Sequence, residues 1–167
     1  VFNTYDSSTK ITQVLNDGDT VNVGDLAFTV NGKVRTILAC ERLVLNCMQR
    51  MSGIATYTNK LCQMIVNTNA ELLDTRKTTP NFRLMEKWAV AIGGGANHRF
   101  GLYDMVMLKD NHIDFSGGIA KAISATKSYL SKNDLTLKIE VETRNIDEVR
   151  QVLAVGGVDV IMLDNMM

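Results

Sequence analysis

An α/β protein is predicted, from three features of the 167-residue sequence. Turn dipeptides punctuate short alternating runs over residues 1–35. Apolar residues then recur at three- and four-residue steps from Thr36 to Asn67. From residue 70 onward, short apolar runs alternate with helical stretches, the pattern of parallel strands joined by crossover helices. An open doubly wound sheet and a closed α/β barrel both fit that alternation. The β-rich start and the β/α remainder suggest two domains joined through the long helix.

The elements follow in order. In TQVLNDGDTVNVGDLAFTVNGKVR, the pairs Asp17-Gly18, Gly24-Asp25 and Asn31-Gly32 are hairpin and turn signals. Ile37, Cys40, Val44, Cys47, Met48, Met51, Ile54 and Ala55 make one face of an amphipathic helix. Ser52-Gly53 is a candidate break within it. Strands are then expected at AELLDT (70–75), DMVMLKD (104–110), LKIEVET (137–143) and DVIMLDN (159–165). Helices are expected at 81–94, 117–130 and 146–157. Met-rich NCMQRM and MVML are expected in the core. GGGANHRFG (93–101) lacks the GxxxxGK[ST] phosphate-loop pattern and follows a helix, so a helix stop and loop is expected there.

Composition narrows the function classes. Hydrophobic residues make up 46% and charged residues 22%, as in ordinary globular proteins. No stretch approaches the roughly 20 apolar residues of a membrane span. Residues 1–10 lack the apolar core of a signal peptide. Cys40, Cys47 and Cys62 are an odd number without CxxC spacing, which points to free thiols in a reducing cytoplasm rather than disulfides or zinc. Lysine plus arginine equals aspartate plus glutamate, 18 each, which argues against a nucleic-acid-binding module. The balance hides a gradient. Arg76, Lys77, Arg83, Lys87, Arg99 and Lys109 face only Glu86 and Asp104 between residues 76 and 109, and acids dominate thereafter.

The strand ends carry the chemistry. In barrels and open sheets alike, ligands bind beyond the C-terminal ends of parallel strands. Those ends hold Arg76 and Lys77, then Lys109, Asp110, Asn111 and His112, then Glu142, then Asp164 and Asn165. Arginine offers bidentate sites for carboxylates or phosphates, and lysine a point charge. Glu142 and Asp164, from neighbouring strands, could share Mg²⁺ with substrate phosphates. Cations, acids and no evident nucleophile suggest electrostatic catalysis on a phosphorylated substrate. His98, within the polar stretch NHR, is expected to line the pocket.

The motifs ERLVLNCMQRMSGIAT (41–56), DTRKTTP (74–80), GGGANHRFGLYDMVMLKDNHI (93–113), IEVET (139–143) and MLDN (162–165) together resemble quinolinate phosphoribosyltransferase, also called carboxylating nicotinate-nucleotide pyrophosphorylase. The resemblance implies an N-terminal open α/β sandwich with its linking helix over residues 1–68. It implies the first part of an incomplete α/β barrel, of the type II phosphoribosyltransferase kind, over residues 69–167. It implies transfer of phosphoribosyl from phosphoribosyl pyrophosphate to quinolinate with decarboxylation, giving nicotinate mononucleotide in de novo NAD synthesis. A molybdenum-transport-associated relative shares the RKT and HR motifs, but LKDNH favours the quinolinate enzyme.

Site roles follow from the same resemblance. Thr75, Arg76, His98, Arg99 and Lys109 match the family's pocket for the quinolinate dianion, and Lys77 the residue near both substrates. Glu142 and Asp164 match the acids facing the ribose and its Mg²⁺-pyrophosphate; with Lys77 and Lys109 they are the candidate catalytic groups. Arg42 matches an arginine lent by the partner subunit, which implies a homodimer. Mg²⁺ is the one cofactor implied. Asn81 stands where the family often has Gly, and Trp88 where it often has Tyr. The family's barrel continues past the strand carrying Asp164, into loops for the 5′-phosphate, so a partial chain, itself inactive, is expected.

Overall fold

A computed structural model describes residues 1–166. They form two compact units, residues 1–98 and residues from Arg99 on.

The first unit opens with a single helical turn, α1 (Phe2–Tyr5), then strands β1 (Lys10–Gln13) and β2 (Phe28–Asn31). The strands pair antiparallel, Lys10 opposite Asn31 and Gln13 opposite Phe28. Their connection turns where the dipeptides said it would. The Asp19 amide closes on Asn16 O and the Asp25 amide on Asn22 O, with Gly18 and Gly24 at φ 92° and 94°.

Helix α2 runs unbroken from Val34 to Ile65. Ser52-Gly53 does not split it: one glycine costs about 1 kcal/mol in a helix, too little to end one held on both sides. The NCMQRM segment is not core, because Met48 is exposed and only Cys47 and Met51 are half-buried. The three cysteines all lie on α2 and are free. Helix α3 (Arg83–Ile92) packs on α2 and stops at Gly93. The contact is close: a Cβ on Gly93 would lie 2.5 Å from Ala55 O and 2.7 Å from Thr58 Cβ.

Residues 70–75 are not a strand. Only Leu73 bridges, in parallel, to Ala96; the Asp74 amide donates to Ala96 O (3.1 Å) and the Ala96 amide to Leu72 O (2.8 Å). Beyond that bridge, side chains replace the backbone ladder.

The second unit is a parallel β/α run. Strands β3 (Val106–Leu108), β4 (Ile139–Thr143) and β5 (Val160–Leu163) lie in that order in one sheet. Helix α4 (Asp110–Ser116) follows β3 at once, an element the sequence reading lacked. Then come α5 (Ile119–Lys132) before β4 and α6 (Ile146–Val155) before β5. Ile139 and Val141 of β4 pack with Leu108, Ile123, Leu130 and Val152 in an apolar core. Strand alternation sends Glu140 and Glu142 to the other face, where both are buried. Among the described residues no helix is long and apolar enough to cross a membrane.

Candidate active site

In the first unit the loop after Leu73 is organised by buried charges. Asp74 Oδ1 accepts the His98 amide at 2.9 Å and pairs with Lys87 Nζ from α3. Lys87 Nζ also donates to the His98 carbonyl at 2.8 Å. The Asn97 amide, in the orientation that satisfies it, donates to Asp74 Oδ2 at 2.7 Å. Next along the chain, Thr75 Oγ1 accepts the Lys77 amide at 3.1 Å, a local turn that spaces the two cations. Arg83 donates to Thr78 Oγ1 (3.1 Å) and to the Arg76 carbonyl (3.3 Å).

Glu86 secures the far side of this loop. Its Oε2 accepts the Thr79 amide at 3.2 Å, and its Oε1 accepts Arg50 Nε from α2 at 2.9 Å. Arg50 also reaches Thr79 Oγ1 at 2.6 Å. Burial alone would raise the Glu86 carboxyl, but the hydrogen bonds from Arg50 and Thr79 outweigh it and hold it below its ordinary value. The chain turns at Asn81 with φ 61°, a left-handed conformation that asparagine tolerates better than most residues. Glycine, which the resemblance leads one to expect at this position, would adopt the same conformation freely.

The loop so built presents Arg76 half-buried and Lys77 exposed. Arg76 Nε is shielded from solvent and has no hydrogen-bond partner. Buried donors are nearly always paired, so a lone guanidinium N–H invites an anionic acceptor.

In the second unit the parallel strands bring their C-terminal ends to one edge. Leu108 is opposite Val141, and Glu142 opposite Met162, so the next position of β3, Lys109, falls beside Glu142. Lys109 Nζ lies 3.0 Å from Glu142 Oε2; the carboxylate is buried and the ammonium half-exposed. His112 is occupied structurally: its Nδ1 accepts the Lys109 amide at 2.9 Å at the start of α4. Asp164 follows β5, its amide donating to Thr143 O at 3.0 Å and its carboxylate accepting from Asn165 at 3.0 Å. Arg99 donates to Met105 O at 3.3 Å across a loop that Asp104 holds through the Phe100 and Gly101 amides. Arg144 joins α4 to α6, donating twice to Asp114 and twice to Glu148. Hydrogen bonds from Arg144 hold the Glu148 carboxyl below its ordinary value.

Each unit thus gathers its share of the expected residues. The first holds Thr75, Arg76, Lys77 and His98 on adjoining loops; the second holds Lys109, Glu142 and Asp164 at one sheet edge, with Arg99 at its start. Arg42 is exposed on α2. Sequence reasoning missed the supporting charges Asp74, Lys87, Glu86, Arg50 and Arg144. One signal was present: Glu86, Ala89 or Val90, and Gly93 follow helical spacing, so the small residues marked Glu86 as lying on the packed face of α3. Among the described residues, no group of three His, Cys, Asp or Glu side chains could hold a metal ion.

Comparison with known proteins bears on family and fold. Residues 1–52 match the N-terminal domain, and residues 54–167 the C-terminal domain, of quinolinate phosphoribosyl transferase. The chain belongs to this family. A Nicotiana glauca protein named quinolinate phosphoribosyltransferase [decarboxylating] 2, mitochondrial, is 49% identical over 99% of the chain and 48% of its own length. A chloroplastic nicotinate-nucleotide pyrophosphorylase [carboxylating] from Arabidopsis thaliana is 46% identical over 99% of the chain and 49% of its own length. NadC from Streptococcus pyogenes superposes with a TM-score of 0.90 at 42% identity, covering 99% of this chain and 57% of that one. The quinolinate phosphoribosyltransferase fold, with its N-terminal α/β domain and barrel-type β/α run, is therefore the fold of this chain. The chain spans about half the length of the curated relatives it matches, 48% in the Nicotiana glauca case.

Proposed function

We propose that this chain carries the quinolinate-recognising and ribose-facing parts of a quinolinate phosphoribosyltransferase. The observation that carries the reading is the buried, unpartnered Nε of Arg76 on a loop braced by Asp74, Lys87 and Glu86. A dicarboxylate supplies the acceptor that this donor lacks. Arg76, Lys77 and His98 bind and orient the dianion, and Arg99 and Lys109 keep the roles that the family resemblance implies. Glu142, already charge-balanced by Lys109, and Asp164 face the ribose and favour the positive charge that develops as its bond to pyrophosphate lengthens. The pyridine nitrogen of quinolinate takes that carbon. Its positive charge then stabilises the electron pair left on the adjacent ring carbon when the neighbouring carboxylate leaves as carbon dioxide, and that carbon takes a proton from solvent.

Two acids at neighbouring strand ends suit a Mg²⁺ ion shared with pyrophosphate better than an ion caged by protein alone. When bound there it would neutralise leaving-group charge. Arg42, exposed on α2, is placed in the partner's site of a homodimer under this proposal. Three free thiols suit a reducing compartment such as the cytoplasm. The relatives' names, which specify decarboxylating or carboxylating chemistry, favour this function over the molybdenum-transport alternative.

The test is calorimetric titration of quinolinate, with nicotinate as the monocarboxylate control. Tighter binding of quinolinate, lost in Arg76→Ala, is expected. Equal affinity for both ligands would overturn the reading. Pyrophosphate release from phosphoribosyl pyrophosphate with Mg²⁺ then tests turnover.

A further inference from the structure

We infer that the Lys87–Asp74 pair is a positioning device for the substrate loops, one that no feature of the sequence motifs assigns. The inference rests on the quinolinate reading above. The two side chains are 3% and 7% exposed, so both charges are desolvated. Burying an ion pair gives little net stability, and apolar residues of similar volume often do as well or better. Its value is sought in geometry, and the geometry is specific. The backbone between the two loops contributes only the single bridge at Leu73 and Ala96. Two residues further on, Lys87 Nζ donates to the His98 carbonyl while Asp74 Oδ1 accepts the His98 amide. Both polar groups of the His98 backbone are therefore held by one ion pair. Asp74 directly precedes Thr75 and Arg76, and Lys87 is anchored on the rigid α3.

The pair thus fixes the spacing between the backbone that carries Arg76 and the backbone that carries His98. Neither charge needs to touch substrate. A loose spacing would leave every cation present but unable to meet one dicarboxylate together, the situation in which small misplacements lower affinity and rate.

The test compares Lys87→Met with the double variant Asp74→Leu/Lys87→Met, in which the leucine keeps the aspartate's branched shape but offers the His98 amide no acceptor. The single variant strands a buried carboxylate and is expected to be strongly destabilised. The double variant removes both charges at similar volume and is expected to regain most of the thermal stability. Quinolinate affinity is expected to stay about tenfold weaker in the double variant, the scale of one lost charge-assisted bond. The His98 amide is expected to exchange with solvent faster than in the parent chain. Recovery of affinity together with stability would overturn the inference, since the pair would then be merely structural. If the parent chain itself fails to bind quinolinate, the proposed function falls first. The exchange rate then decides alone: faster exchange at unchanged stability keeps the clamp, and an unchanged rate removes it.

Discussion

Arg76→Met should make the chain more stable and a worse binder at once. The methionine keeps the apolar stem and deletes the guanidinium. In the folded chain Arg76 Nε is shielded and unpartnered, while its residue is half-buried overall. A buried unsatisfied donor costs about 1–3 kcal/mol. Because the residue as a whole is only half-buried, the lower end applies, and the variant should gain about 1 kcal/mol. For a chain of this size that raises Tm by about 2–4 °C. Under the proposed function the same donor is offered to a quinolinate carboxylate, so binding should weaken by roughly ten- to hundredfold. Thermal unfolding and quinolinate titration on the same preparations read both quantities. A variant that melts several degrees lower and binds as well as the parent would refute the argument, because Arg76 would then be a structural arginine with a partner of its own.

Two further outcomes are expected. Glu86 has its folded-state pKa below the ordinary 4.5, so its contribution to stability is full above that value and is lost as pH falls through the folded pKa. The melting temperature of the parent should therefore fall more steeply below pH 4.5 than that of Glu86→Gln, as read by thermal melts across the acid range. Gly93→Ala places a methyl 2.5 Å from Ala55 O, a backbone atom that cannot step aside. It should cost about 1–3 kcal/mol in chemical denaturation, by overpacking the α2–α3 contact.

The sequence made the periodic elements legible and left the charged scaffolding hidden. Turns at Gly18 and Gly24, the body of α2 and the three parallel strands follow from local pattern, and the structure has them all. AELLDT misled because an apolar run fixes a tendency and not a partner. With only Ala96 to pair, it remains a bridge. Helix α4 is seven residues long, too short for its period to register. At the candidate site, strand-end charges announced themselves by position. Lys87 did not, because its partner Asp74 lies 13 residues away and a lysine on a helix reads as solvated until tertiary contacts bury it. The same holds for Arg50 and Glu86, 36 residues apart.

The alternation along β4 also guards the assembly of its sheet. Ile139, Val141 and Thr143 occupy one face; Glu140 and Glu142 occupy the other. A mistake of one residue in pairing with β3 would exchange the faces, driving two carboxylates against Ile123 and Val152. Each stranded ion costs several kcal/mol, and two together rival the roughly 5–15 kcal/mol that holds a whole domain folded. A mistake of two residues keeps the faces but parts Lys109 from Glu142. Charges suited to chemistry at the sheet edge therefore also proofread the strands during folding, so that a chain able to complete this sheet at all completes it with its lysine and glutamate side by side.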